Sequence, residues 1–130
     1  MKPPLPPFAD PHRLLPLKPL VLEVLLSLLG GERHGYGLVS DIAERSGGAV
    51  RIEPGNLYRS LRVMLDLGLI VESDRRPAPD LDDQRRRYYR ITPFGELVAT
   101  EEAVRLRALL SQAGVRRLLD HRAAFDPGLD

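Results

Sequence analysis

The chain has 130 residues, with 19 lysines and arginines against 18 aspartates and glutamates, and no cysteine. This length suits one domain with a modest core, and the net charge of +1 excludes a strongly basic chain, so only the placement of charge can indicate nucleic acid. The lack of cysteine excludes disulfides, thiolate nucleophiles and cysteine-ligated metals, which favours a reducing compartment, most simply the cytoplasm.

Proline dominates the start of the chain. The first 19 residues carry seven of the twelve prolines, and proline lacks a backbone N–H and disfavours helix at the preceding residue. We therefore predict an extended N-terminal arm over residues 1–16. The arm can be a disordered tail or a segment that grips a partner or lies in a groove, and chain termini are usually loose.

A strongly apolar stretch after the arm predicts a first helix that ends at Gly30. Only Glu23 and Ser27 interrupt it, as a polar stripe. The stretch is far shorter than the roughly 20 residues that a membrane span needs, so no membrane partner is expected. A helix that is apolar on nearly all sides must be buried on more than one side, which predicts that part of it faces a second subunit.

Two more helices follow in the sequence. Residues 32–48, ERHGYGLVSDIAERSGG, predict a short second helix that a glycine pair ends. A third helix is predicted from about Pro54 to Leu67, because its apolar residues are spaced to form a single core face. The residues that this leaves outside are Asn56, Arg59, Arg62 and Asp66, with Tyr58 at the edge.

A β-hairpin is predicted next. LIVES, residues 69–73, begins one strand, a polar loop with two prolines and four aspartates follows, and the chain returns as a strand at Arg86. In the returning strand Tyr89 and Ile91 share one face, because side chains alternate. Thr92 is a suitable N-cap and Pro93 a suitable first residue for a fourth helix, which is predicted to open at once.

The most basic run of the chain, Arg85 to Arg87, lies on this returning strand. Its arginines can reach phosphates or a narrow minor groove, or they can be an edge-strand charge run that prevents sheet pairing. The only lysines are Lys2 and Lys18. This preference for arginine fits phosphate and guanine recognition and fits an arginine-rich codon usage equally well.

The last helix is predicted to run from Pro93 to about residue 120 as a dimerisation helix, followed by a flexible tail over residues 121–130. At 1.5 Å per residue it would be roughly 40 Å long, which exceeds what a domain of this size can cover. Its apolar residues form two stripes, as expected for a helix that packs on two surfaces. Gly114 marks a place where the helix can kink or end early.

Three helices, a hairpin and a further helix are the order of a winged helix-turn-helix, so the fold class is mainly α with a small β hairpin. Residues 17–92 would form this domain. Three blocks make the resemblance specific: HGYGL at 34–38, EPGNLYRSLRVMLDLGLI at 53–70 and RRRYYRITPFG at 85–95. In this order they resemble the PadR family of bacterial transcriptional regulators, and a single C-terminal helix resembles its short subclass. The wing alone also resembles the MarR family.

The resemblance implies a homodimeric repressor that binds a palindromic double-stranded DNA operator through the third helix and the wing. The DNA-binding residues are then Asn56, Tyr58, Arg59, Arg62, Arg85, Arg86 and Arg87. The implied dimer interface uses the first and last helices, and the candidate residues are Leu20, Val24, Leu97, Val104, Ala108 and Val115. Asn56 stands where the family pattern has threonine, and Arg59 replaces a common proline, so the family's base preferences do not carry over.

Other function classes have less support in the sequence. There is no G-x-S-x-G, no phosphate loop and no H-x-x-x-H pair, so we predict no catalytic residue, metal site or cofactor. A winged helix used for protein contact remains an alternative, which predicts exposed apolar residues on the third helix. The resemblance also implies a small-molecule effector, where one exists, at the dimer interface near the first and fourth helices.

The sequence leaves two alternative roles open for each of two aromatic residues, Tyr58 and His34. Tyr58 can lie on the core edge or on a phosphate. His34 can cap the second helix or contact the DNA backbone.

Overall fold

The computed structural model describes residues 10–73 and 87–125. Within these ranges it contains the helices α1 (Pro19–Leu29), α2 (Gly35–Arg45), α3 (Pro54–Asp66), α4 (Pro93–Leu110) and α5 (Ala113–Phe125). The strands are β1 (Arg33–His34), β2 (Ile70–Glu72) and β3 (Tyr88–Ile91), and a 3-10 turn, Pro11–Leu14, precedes α1. None of the helices described is long and apolar enough to cross a membrane.

The core lies between the three N-terminal helices, the sheet and the start of α4. Its fully buried side chains include Leu25 of α1, Ile42 of α2 and Met64 of α3. β2 and β3 pair antiparallel as the predicted wing, with Ile70 opposite Ile91. The winged helix-turn-helix order is therefore confirmed, and the third helix ends within a residue of its predicted end.

The sheet has a third strand that the sequence reading missed. Residues 32–48 were predicted as one helix, but Arg33 and His34 pair antiparallel with β3, which makes β3 the central strand. α2 begins only at Gly35, because His34 is its N-cap and its Nδ1 accepts a hydrogen bond from the backbone N–H of Gly37 at 2.9 Å. A strand of two residues is too short to show an alternating pattern in the sequence, so it could not be predicted. It forms because β3 offers an edge for pairing.

Ser27 of α1 is buried, although it was predicted to lie on a polar stripe. Its hydroxyl donates to Asp41 Oδ2 of α2 at 2.6 Å, and Arg33 and Arg45 both pair with the same carboxylate. The Ser27 hydroxyl and then the Arg45 guanidinium hold the pKa of Asp41 below its ordinary value. A buried polar group without a partner is costly, so this network is what allows a serine inside the apolar α1.

Residues 10–16, the described end of the predicted arm, are not extended throughout, because they include the 3-10 turn Pro11–Leu14, which packs on α4. In the described part, Asp10 caps the 3-10 turn and Leu14 is half-buried against the core. The backbone N–H of Leu17 donates to Glu102 Oε2 at 2.7 Å, and Glu102 is fully buried on α4. Residues 1–9 lie outside the described residues.

The last helix is not continuous over residues 93–120, because α4 ends at Leu110 and α5 begins at Ala113. The break lies just before Gly114, where a kink or an early end was left open. At the break the Ser111 hydroxyl donates to the carbonyl of Arg107 at 2.7 Å, and the N–H of Gln112 reaches only Leu109. Such side-chain bonds compete with the helix ladder. The tail assigned to residues 121–130 is also wrong in part, since α5 continues to Phe125.

Candidate nucleic-acid interface

The first two turns of α3 present a polar surface. Leu57 and Leu61 are buried and fix the helix to the core, which leaves Asn56, Arg59 and Arg62 exposed as predicted. Arg59 Nη2 donates to Asn56 Oδ1. Pro54 is the first helical residue and the Glu53 side chain makes no capping bond, so the first N–H groups of α3 stay open to an outside acceptor.

The base of the wing lies beside this surface. A polar groove of about 240 Å³ between α3 and the sheet brings Tyr58, Arg62 and Arg87 together, with Asp66 and Glu72 also in its lining. Arg87 pairs with Glu72, with 3.6 Å between Nε and Oε1. Tyr58 is half-buried against the core, which supports its reading as a core-edge residue. Arg85 and Arg86, the other two wing candidates, lie outside the described residues.

Tyr89 is the inward tyrosine of β3, as the alternation predicted. It is almost fully buried, and this burial raises the pKa of its hydroxyl. Tyr88 faces the other side of the sheet, where its ring meets His34 edge-on at 5.2 Å between centroids. The Tyr88 and His34 rings therefore pack β3 of the wing against β1, while the Tyr89 ring belongs to the core.

A second groove, of about 420 Å³, lies between α1 and α3 and reveals a residue that sequence reasoning missed. Lys18 lines it together with Asn56 and Arg59. One signal in the sequence could have indicated Lys18. It directly precedes Pro19, the first residue of α1, and it is one of the only two lysines in the chain. Arg51 borders the neighbouring groove that also reaches Asn56.

These cations make no ion pair with the described residues, a property that they share with other exposed arginines, among them Arg107, Arg116 and Arg117 of α4 and α5. In residues 10–73 and 87–125, no carboxylate pairs with Lys18, Arg51 or Arg62, whereas the arginines at 33, 45, 87, 90 and 105 are ion-paired. Over the same ranges no three histidine, aspartate or glutamate side chains are grouped to hold a metal ion. The surface around the start of α3 therefore carries cations that form no ion pair within the described residues, although Glu53 lines the groove of Arg51 and Asp66 lines that of Arg62.

Sequence comparison identifies the family. The model of the PadR-like family of transcriptional regulators matches residues 21–101, which is more than half of the chain. The chain belongs to the PadR-like family. This PadR-like chain is therefore a DNA-binding transcription regulator, in a family of regulators rather than enzymes.

Solved structures agree with this assignment, while no curated protein sequence matches the chain. A PadR-family regulator from Eggerthella lenta is 30% identical, with a TM-score of 0.61, and the match covers 77% of this chain and 80% of that one. A transcriptional regulator from Clostridium thermocellum is 20% identical at a TM-score of 0.61, over 78% and 87%. The Bacillus subtilis PadR, solved with operator DNA, is 23% identical with a TM-score of 0.57, and the match covers 66% of this chain and 47% of that one.

The C-terminal helices of the PadR-like chain expose a wide apolar surface. Leu110, Leu118 and Leu119 are each at least half exposed, and Val104 is 44% exposed. A groove of about 520 Å³ at the bend between α4 and α5 is mostly apolar, with Leu106 and Leu110 in its lining. Single exposed apolar residues are ordinary in a folded chain, and several of them on two adjoining helices make this end of the chain a candidate interaction surface.

The six dimer candidates do not lie on one surface. Val104 and Ala108 are exposed on α4, Leu97 and Val115 are half-buried, and Leu20 lines the groove beside Asn56. Val24 is fully buried in the core of its own chain. Its assignment to the interface is therefore wrong, because a helix that is apolar on all sides conceals which face packs internally.

Proposed function

We propose that the chain is a homodimeric, sequence-specific repressor that binds a palindromic DNA operator through α3 and the wing. The observation that carries this proposal is the start of α3, where Asn56, Arg59 and Arg62 stand exposed and where Lys18 and Arg51, which form no ion pair with the described residues, line the adjoining grooves. The first residues of a recognition helix are those that meet base edges in the major groove. The Bacillus subtilis PadR was solved with operator DNA, which supports the same use here.

The two halves of the surface suit different parts of the duplex. Arginine and asparagine at the start of α3 carry donors for base edges, and Arg87 with Arg85 and Arg86 would contact phosphates next to the groove. Arg87 must exchange its pairing with Glu72 for a phosphate oxygen. Because that pairing is half exposed and 3.6 Å long, its loss costs little.

The test is binding of the purified protein to its own upstream DNA across a salt series, beside unrelated DNA. We expect Arg59→Ala with Arg62→Ala to weaken binding to the upstream fragment by at least about tenfold and to reduce its salt dependence. The charge-matched control is Arg117→Ala with Arg122→Ala on the exposed face of α5, which should change binding little. Equal binding of all DNAs by the wild-type protein would contradict sequence-specific recognition.

Dimerisation would place two α3 helices about 34 Å apart, one helical turn of DNA. We expect Val104→Asp to convert the dimer to a monomer, because a carboxylate buried in an apolar interface lacks a partner. Sedimentation at several protein concentrations measures this. Ser40→Asp on the exposed face of α2 introduces the same charge away from α4 and should leave the mass unchanged. A wild-type protein that sediments as a monomer would overturn the dimer.

One observation favours the alternative of a protein-contact module. Val63 is 52% exposed and Leu67 42% exposed, so the second half of α3 and its end carry apolar surface. Val63→Ser with Leu67→Ser should then abolish partner capture while the salt dependence of DNA binding is unchanged. Absence of binding to any DNA at low salt would shift the proposal to this class.

A small-molecule effector, where the regulator has one, would bind at the interface of two copies, near α1 and α4. The apolar groove at the bend of α4 and α5 supports this placement, because its volume of about 520 Å³ is in the range of ligand sites. A ligand there could change the separation of the two α3 helices and so relieve repression.

We propose the cytoplasm as the place of action.

A further inference from the structure

Asn56 and Arg59 form a pair on the first turn of α3. They are three positions apart and both are exposed, and Arg59 Nη2 donates to Asn56 Oδ1. The other terminal nitrogen of Arg59 lies 3.6 Å from the place where a Cβ on Gly55 would stand. The guanidinium is therefore folded back over the N-terminal end of α3 and held there by the asparagine.

This arrangement changes what each side chain can read. A free asparagine pairs with adenine by using its carbonyl oxygen and its amide nitrogen together, whereas in Asn56 the bond from Arg59 occupies one of the two lone pairs of that oxygen and places a cation beside it. The guanidinium has five N–H donors in a rigid fork, so one bond to Asn56 leaves enough for the two acceptors of a guanine, N7 and O6. The pair thus favours guanine over adenine at the contacted base pair.

We infer that Arg59 reads a guanine in each operator half-site and that Asn56 is a positioning residue that aims it. This inference rests on the proposed function and names the base that the same surface recognises. The two side chains would act as one unit and would not read two separate bases.

Lys18 supplies the contrast that makes the inference testable. It lines the same groove as Asn56 and Arg59 and pairs with no described carboxylate, but an ammonium group is a point charge suited to phosphates. Lys18→Ala should weaken binding to every sequence alike and reduce the salt slope by about 1. Arg59→Ala should instead remove the preference at one position and leave the rest of the site in place.

The experiment selects binding sites from a random DNA library with four proteins: wild type, Asn56→Ala, Arg59→Ala and Lys18→Ala. For the wild type we expect a guanine in each half-site, whose replacement by adenine weakens binding about 10- to 100-fold. Arg59→Ala should lose this discrimination alone, and Lys18→Ala should retain it. Because all three residues are exposed, the variants should fold, which their thermal unfolding checks.

Two further comparisons test the coupling. DNA with 7-deazaguanine at that position lacks the N7 acceptor, so the wild type should bind it about tenfold more weakly, while Arg59→Ala should not distinguish it from guanine. Asn56→Ala should reduce discrimination at the same base, and adding it to Arg59→Ala should cause no further loss. The inference would be overturned if Asn56→Ala removed a base preference at a different position of the site that Arg59→Ala left unchanged.

The outcomes separate this inference from the proposed function. A wild-type protein that selects no sequence would contradict sequence-specific recognition itself. A wild-type protein that selects a site whose guanine preference survives Arg59→Ala would leave the regulator intact and remove the role of the pair.

Discussion

Gly95→Ala is expected to lower the free energy of unfolding by about 3 kcal/mol or more, because an added Cβ has no space. It would stand 2.1 Å from the carbonyl oxygen of Leu69 and 2.8 Å from Cγ1 of Ile91. The Leu69 contact is with backbone, which cannot rotate away as the end of a flexible side chain can. Urea unfolding at one fixed protein concentration measures the loss, since the stability of the proposed dimer would depend on concentration.

Gly114→Ala is the matched control for this substitution. Gly114 lies in the first turn of α5, and outside its chain neighbours and the backbone of its own helix no described atom lies within 4 Å of the place for its Cβ. Alanine is the better helix former, so this variant should be unchanged or more stable by up to about 1 kcal/mol. If both substitutions changed the free energy of unfolding by similar small amounts, α4 would not depend on the close contact between Gly95 and the backbone of Leu69.

The junction at Gly95 explains why the basic strand of the wing leads directly into Thr-Pro-Phe-Gly. The hydroxyl of Thr92 accepts from the N–H of Gly95 at 2.9 Å and lies 2.6 Å from the carbonyl of Gly68. Phe94 is buried in the core. The Thr92 cap, Pro93 in the first turn, the buried Phe94 and the close approach at Gly95 together fix α4 to the turn between α3 and β2, so α4 and α3 are held in one unit.

The sequence predicted the fold well because its strongest signals are local. The spacing of Leu57, Leu61 and Met64 selected the buried face of α3, and the Thr92–Pro93 pair located the start of α4. The exposed face of α3 followed from the same periodicity, so the exposure of Asn56, Arg59 and Arg62 was predicted without the structure. Here the pattern and the cap residues agree with the tertiary packing, which is when such predictions succeed.

What the sequence could not predict depends on partners distant in the chain. β1 exists only because β3 offers an edge to Arg33 and His34, and Ser27 is inside only because Asp41 meets it. Lys18 joins the candidate DNA surface because α1 and α3 begin side by side. None of these contacts has a periodic signature, and the family blocks do not include residue 18.

Glu102 is the clearest case of a distant partner, since it would read as a solvent-facing residue on a helix with several acids. It is 1% exposed, and its carboxylate accepts from Arg105 Nε and from the backbone N–H of Leu17. Next to it, Glu101 Oε1 lies 3.0 Å from His12 Nε2. These bonds hold the N-terminal segment on α4, and Leu14 covers the core there.

Glu102→Ala should therefore lower the free energy of unfolding by about 2 to 3 kcal/mol, because it leaves the N–H of Leu17 without its acceptor and opens a small cavity. Glu101→Gln is the matched control one residue away, and its more exposed pairing with His12 should contribute no more than about 1 kcal/mol. Equal effects of the two substitutions would mean that the segment is not held through Glu102.

The pH dependence of this effect gives a second, independent measurement. The bond from Arg105, and then that from Leu17, hold the pKa of Glu102 below its ordinary value of 4.5. The unfolded chain therefore binds the proton first as the pH falls, so the stabilisation is fully present above pH 4.5 and is lost as the pH falls through the lower folded value. The difference in unfolding free energy between wild type and Glu102→Gln should stay constant from about pH 7 to pH 5 and shrink below about pH 4.5. A difference that grew on acidification would show that the buried carboxyl is already protonated in the folded protein, and that Leu17 is not held by a charged acceptor.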